Sequence, residues 1–333
     1  MSQSLPFGGF TWLTASEICQ LDINSIPDDS PQGYILEVDV HYPVELHDLH
    51  SDLQFLVESI IPPGSKSKIP KLIPNLNDKK KYIVHYRNLK QTVRNGLMVM
   101  KTHRILRFNQ SPWLKDFVVI HMDKVKVCYN KPLYLGFSIL DMSKTVIYDF
   151  FYDVIKKHYG PQASLLYTDT DSLILKIMTD NFYNFMIANV DKFDTSNYRL
   201  GNKFNVPVSK SVIGNMKDEL PNDTIISFHG TGAKAYHVQS VSDEIKKAKG
   251  IKKSVIKNQI SIEDNIRIVE TGGIIFRKMN VFRSDLHDIY TLMCNKVALS
   301  HNDDKRFIIP NTTKTLPWGH NDIEFYQTSS EQN

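Results

Sequence analysis

Two carboxylates enclosed by apolar runs constrain this chain more than any other feature. They stand in Leu165-Leu166-Tyr167-Thr168-Asp169-Thr170-Asp171-Ser172-Leu173-Ile174-Leu175, at the junction of two strand-like segments. In an extended strand residues i and i+2 point to one face, so Asp169 and Asp171 are expected to present oxygens to one spot. A hard cation such as Mg²⁺ takes oxygen ligands, usually one or two carboxylates plus substrate phosphates. The same residue types also make an ordinary polar turn. A bare Asp-x-Asp is more often that turn than a metal site, so the flanks carry the weight.

The chain has 333 residues, enough for one large or two modest domains. Apolar residues make up 41%, which permits a sizeable core. A net charge of +4 is compatible with nucleic acid but equally with many other substrates. Three widely spaced cysteines, Cys19, Cys128 and Cys294, point to a reducing compartment and away from a disulfide framework or zinc ribbon. No signal peptide and no membrane span is readable. The expectation is a soluble intracellular protein, nuclear if host-encoded, without membrane partners.

Along the chain, residues 24–32 read as a loop and 34–40 as a strand, with Leu36, Val38 and Val40 on one face. Residues 61–78, with five prolines and glycines among lysines, read as an exposed connector. A short strand over 81–85, a brief helix over 88–95 ended by Gly96, and an extended segment over 98–108 follow. The strongest helix runs over 141–158. Val146, Phe150 and Val154 form one row, Ile147, Phe151 and Ile155 a second, and Asp141 or Ser143 is the expected cap. Further expectations are a helix over 182–190, strands over 224–228 and 235–239 around Gly230-Thr231-Gly232, a helix over 255–268, and short β-segments over 273–309.

Two basic features follow the acidic one. In Gly232-Ala233-Lys234-Ala235-Tyr236, Lys234 and Tyr236 are two apart and would share a strand face. A lysine offers a point charge to phosphate, and a tyrosine can rest against sugar or base. An ordinary strand with a surface lysine fits the residues as well. Lys246-Lys247-Ala248-Lys249-Gly250-Ile251-Lys252-Lys253 is dense enough to neutralise phosphates, although a charge run by itself is more often a solvated helix face. His47-x-x-His50 could bracket a metal, but no nearby cysteine completes a zinc set, and both histidines read as structural or surface residues.

Tyr167-Thr168-Asp169-Thr170-Asp171-Ser172 resembles the third catalytic motif of family B DNA polymerases. Ahead of it lies Asn130-Lys131-Pro132-Leu133-Tyr134-Leu135-Gly136-Phe137-Ser138-Ile139-Leu140-Asp141-Met142-Ser143-Lys144. With the opening Met1-Ser2-Gln3-Ser4-Leu5-Pro6-Phe7-Gly8-Gly9-Phe10 and the tail from Asp303-Asp304-Lys305-Arg306-Phe307 to Trp318-Gly319-His320, most of the chain is similar to the protein-primed branch encoded by virus-like Polinton/Maverick transposons.

The resemblance implies an α+β fold: a polymerase palm, antiparallel sheet backed by helices, with a small carboxyl-terminal thumb. It divides the chain into a partial palm with insertion over 1–125, a palm core over 126–240, and a thumb region over 241–333. It implies that Asp171 binds metal directly and Asp169 supports the site, with Tyr167, Thr170 and Ser172 behind them. Two Mg²⁺ would activate a primer hydroxyl and stabilise the leaving pyrophosphate. Lys234 and Tyr236 would meet the primer terminus, and Lys249, Lys252 and Lys253 the duplex. The implied partners are DNA template-primer, deoxynucleoside triphosphates and a terminal priming protein.

Two parts of the family pattern are not found. The first motif's Asp is expected just before a stretch that Met1-Ser2-Gln3 resembles. Asp39, followed by Tyr42-Pro43, is the nearest substitute and reads as a strand residue. The second motif's Lys-x-x-x-Asn helix belongs between Lys115 and Asn130. Lys126 and Asn130 have the spacing, but Pro132 disfavours that helix and Tyr134 and Gly136 are out of register. The amino-terminal exonuclease domain is likewise not recognised. The expectation is therefore a polymerase fragment without measurable activity on its own, retaining weak Mg²⁺ and DNA binding. The alternative is a non-catalytic DNA-binding or interaction remnant of a transposon polymerase.

Overall fold

A computed structural model describes residues 4–65, 68–111, 132–221, 223–286 and 288–331. Lys126, Asn130 and Cys128 lie outside the described residues. The fold is mixed α+β, with largely antiparallel sheets.

Four strands curl into an open half-barrel in the order Leu5–Trp12, Met98–Ser111, Gln32–His41, Lys79–His85. Its central strand, Gln32–His41, alternates in burial, and Leu36, Val38 and Val40 are each at most 1% exposed. Each such side chain contributes about 1.5–3 kcal/mol by leaving water. Register shifts at Glu37/Val38 and Asp39/Val40 break the ladder there, the kind of irregularity that bends a strand. Asp39 is committed to this sheet. It accepts the Lys81 N–H at 2.7 Å and meets His103 Nε2 at 2.9 Å, and these bonds hold its carboxyl below its ordinary range.

Two helices fill the concave side. Tyr86–Arg94 follows directly from the last strand, two residues before the expected start. Leu133–Asp149 begins eight residues before Asp141, with Pro132 as its cap. Asp141 is therefore a mid-helix residue, buried, and serves the neighbouring helix instead. Its carboxylate accepts the His85 N–H and the Asn88 amide, each at 2.8 Å, at the positive end of Tyr86–Arg94. Burial pushes its carboxyl up despite these bonds and Lys144.

The long helix continues through a π turn over Phe150–Lys156. It separates two cores. Ile147, Tyr148, Phe151 and Tyr152 pack with the half-barrel, while Ile155 and Tyr159 pack with Phe185, Met186 and Phe193 beyond it. The row Ile147/Phe151/Ile155 is fully buried, and the row Val146/Phe150/Val154 only partly.

The expected helix over 255–268 is two helices, Lys253–Gln259 and Ile262–Thr271. Ser261 breaks it, because its hydroxyl accepts the Asp264 N–H at 3.2 Å while the Asp264 carboxylate reaches back to the Ser261 N–H at 3.3 Å. These helices pack on the base of a long two-stranded ribbon, Ile274–Asp285 with Asp288–Ser300.

Residues 304–321 return as a strap across the first half of the chain. Lys71 pairs with Asp304, Arg306 Nη2 donates to the Ser51 carbonyl at 2.9 Å, and Leu76 N–H donates to the Trp318 carbonyl at 2.8 Å. The expectation of an exposed connector over 61–78 holds for most of its described residues and is corrected over 73–76. Ile73, Asn75 and Leu76 are at most 1% exposed: Leu76 belongs to the half-barrel core, and Asn75 is bridged to Trp318 of the strap. Gly319 (φ 86°) passes so close to Asn77 that a Cβ would stand 2.2 Å from its side-chain oxygen and 3.0 Å from its backbone nitrogen.

Candidate functional site

The acidic segment is the tip of a hairpin between Ala163–Thr168 and Leu173–Ile177, with Thr168 opposite Leu173. Asp169 to Ser172 form the turn itself. Asp169 N–H donates to the Ser172 carbonyl at 3.2 Å, and Asp171 N–H to the Asp169 carbonyl at 2.7 Å. The two-residue alternation of a strand therefore does not govern Asp169 and Asp171, because both lie in the turn. Thr170, between them, adopts φ 62°, an uncommon conformation for a β-branched residue. Strain of this kind costs about 1–3 kcal/mol. Asp171, Thr170 and Ser172 are exposed, and Asp169 is half-buried.

The first of the two basic features arrives at this tip from another sheet. Ile225–Gly232, Ala235–Ser240 and Glu244–Ala248 form a three-stranded antiparallel sheet. Gly230, Thr231 and Gly232 belong to its first strand rather than to a turn, and Ala233-Lys234 make the reversal. Lys234 is held at φ 59°. Its Nζ stands 3.0 Å from Asp169 Oδ2, and its backbone N–H donates to the Tyr167 hydroxyl at 3.0 Å. The hydrogen bond to Asp169 raises the Lys234 ammonium above its ordinary range. The Tyr236 ring lies 4.7 Å from that of Tyr167, with Phe228 6.3 Å from Tyr167 on the same side. Partial burial pushes both tyrosine hydroxyls up, so they remain protonated donors.

The lysine run is not one helix face. Lys246 and Lys247 lie in the strand Glu244–Ala248, and Lys253 opens the following helix. Lys246 is spent on structure, 2.7 Å from Glu244 and 3.0 Å from the Ile260 carbonyl. Lys249, Lys252 and Lys253 are exposed. Pairing of Tyr236 with Lys247 and of Ala235 with Ala248 puts Lys249 one step beyond, at the sheet end that carries Lys234. Lys252 and Lys253 sit at the positive end of Lys253–Gln259, where cations are electrostatically disfavoured, and the Lys252 ammonium lies 5.9 Å from the Phe282 ring centroid. No described contact joins Lys252 or Lys253 to the hairpin.

Exposed turn carboxylates suit a hard cation, but the protein brings little else. Among the described residues no third histidine, cysteine or carboxylate clusters with Asp169 and Asp171. A residue pairing that the sequence reading did not anticipate is the Lys234–Asp169 ion pair, since the two are 65 positions apart and lie on different sheets. Among the described residues no helix is long and apolar enough to cross a membrane. No family model matches the chain, and comparison with curated proteins and with solved structures finds no match.

Proposed function

We propose that this chain carries the palm and thumb of a protein-primed family B DNA polymerase, a nucleotidyltransferase, and that its hairpin site binds DNA primer-template with Mg²⁺. The observation that carries the reading is the convergence of two motifs from separate sheets. Tyr167 and Asp169 at the hairpin tip meet Lys234 and Tyr236 through an ion pair, a hydrogen bond and a ring contact. A carboxylate pair beside a lysine and two tyrosines offers a cation site, a phosphate contact and a surface for sugar or base. Lys249 extends that basic edge. Mg²⁺ bound there would neutralise phosphate charge in a phosphoryl transfer. For Asp169 to take part, Lys234 must exchange its carboxylate for a DNA phosphate. Template-primer, deoxynucleoside triphosphates and a terminal priming protein are the partners that follow.

The described residues supply two carboxylates and no third, so the site fits a weakly held cation better than a complete two-metal centre. Purified chain is expected to bind primer-template duplex in low salt, more tightly with Mg²⁺, and to lose affinity on Lys234→Ala. Primer extension is expected to fail. Extension abolished by Asp171→Ala would instead establish a complete centre. Absence of duplex binding in low salt, with or without Mg²⁺, would overturn the reading. One observation favours a second reading, a non-catalytic DNA-binding remnant: Asp169 is already neutralised by Lys234. Duplex binding indifferent to Mg²⁺ and to Asp171→Ala would select it.

A further inference from the structure

The strap ends on a histidine that the polymerase reading leaves without a task. His320 is 4% exposed, and its Nε2 is buried with no hydrogen-bond partner among the described residues. Its other ring nitrogen, Nδ1, accepts the Asp322 backbone N–H at 3.2 Å. Nε2 stands 3.3 Å from Asp48 Oδ1 without the alignment of a hydrogen bond. The Asp322 carboxylate lies 3.9 Å from Nδ1. One ligand atom from each of Asp48, His320 and Asp322 falls within 4.8 Å of the others. Among the described residues this is the one place where three such donors gather. A second imidazole, His47, lies beside them, its ring 5.8 Å from that of His320 and its own Nε2 also buried and unpartnered.

The 3.3 Å between His320 Nε2 and Asp48 Oδ1 is a separation that two donors to one metal ion take, while the Asp322 carboxylate lies nearer the Nδ1 side of the ring. Zinc bonds of about 2.0–2.2 Å to imidazole and carboxylate, at a tetrahedral angle, place two donors about 3.3–3.5 Å apart. Mixed nitrogen and oxygen donors suit Zn²⁺ rather than Mg²⁺, which prefers oxygen and waters.

We propose that Asp48, His320 and Asp322 form a site for one Zn²⁺ that staples the carboxyl-terminal strap to the turn after the half-barrel's central strand. The metal takes His320 through Nε2. The neutral ring then carries its single proton on Nδ1, and the contact with the Asp322 amide is the bond given up. Water completes the coordination. Gly319 fixes the approach, since the backbone there lies too close to Asn77 for any side chain. The two carboxylates are exposed, 88% for the Asp48 side chain and 51% for Asp322, so both can move onto the ion.

The full chain, stripped with chelator, is to be titrated with ZnCl₂ while bound zinc is counted and thermal unfolding is followed. One equivalent should bind and raise Tm by about 3 °C or more in excess zinc, and the same concentration of Mg²⁺ should not. Asp48→Asn and Asp322→Asn, both at exposed positions, should each weaken zinc binding about tenfold or more. His320→Gln should abolish it, and if that variant misfolds the two aspartate variants carry the test. The double variant Asp169→Asn/Asp171→Asn should bind zinc as the parent does, which separates this site from the hairpin. The proposal is overturned if the parent retains no zinc, if the two aspartate variants bind it unchanged, or if the hairpin variant alone loses it.

Discussion

The half-barrel and the acidic hairpin handle polar groups in opposite ways. In the half-barrel, charged groups are buried and matched. Asp141 receives two 2.8 Å bonds at a helix terminus, and Lys79, 0% exposed, meets Glu58 at 3.0 Å as well as the Asn75 side chain. At the hairpin tip the polar groups are exposed or half-exposed, each with few contacts, and Thr170 and Lys234 both sit at positive φ. Burying a charge is tolerable only with full compensation, so the first region spends its polar residues on holding one conformation. The second keeps polar groups accessible on strained turns, which suits binding rather than stability.

The comparison can be pressed hardest at the shared helix. Phe151 is fully buried in the half-barrel core, so Phe151→Ala should cost about 3–5 kcal/mol by urea unfolding. A loss comparable to that of a surface substitution would mean the half-barrel is not the stabilising region.

Acid should act on the same region. Burial pulls the His85 imidazole down to about 3 and that of His50 down to about 4, from 6.5. Both rings stay neutral in the fold while the unfolded chain takes up protons near 6.5. Stability is thus complete above that pH and drains away as pH falls toward 3, by about 2 kcal/mol per histidine at pH 5. Unfolding midpoints that coincide at pH 7 and pH 5 would contradict this.

At the strap, Gly319→Ala is expected to cost more than about 1 kcal/mol, since it adds a clash with Asn77 to an unfavourable φ. At the hairpin the order reverses. Lys234→Met should leave the unfolding midpoint in place while weakening duplex binding, because its ion pair is exposed. A large shift in the midpoint would make Lys234 a structural residue. A small gain should come from Thr170→Gly, which relieves φ 62° and should stabilise the chain by a few tenths to about 1 kcal/mol. Destabilisation would show that the threonine side chain holds the turn.

Local signals were legible in the sequence where the chain obeys local rules. Alternation at Leu36, Val38 and Val40 marked the central strand, and the row Ile147, Phe151 and Ile155 marked the helix face that is buried. Ser261 and Asp264 form a capping box that a closer reading of the 255–268 segment would have found. Pro132 likewise signalled the earlier helix start, but Gly136 and Ser138 obscured the periodicity. What could not be read locally depends on distant partners. Within 61–78, residues 73–76 look as solvated as their neighbours until Trp318 meets Asn75 and Leu76. The order of the hairpin and Lys234-Ala235-Tyr236 along the chain suggested a shared site only through family resemblance. The Lys234–Asp169 pairing depends on how two sheets approach each other, which no spacing encodes.

The strap has a consequence for how the protein is made. A ribosome releases the chain from its amino end, so the segment around Ile73, Asn75 and Leu76 emerges long before Trp318 exists to close over it. Until the strap itself leaves the exit tunnel, the early part of the molecule must wait with the backbone donor of Leu76 open to water or to other proteins. Loss of the strap would then harm a part of the protein synthesised long before it.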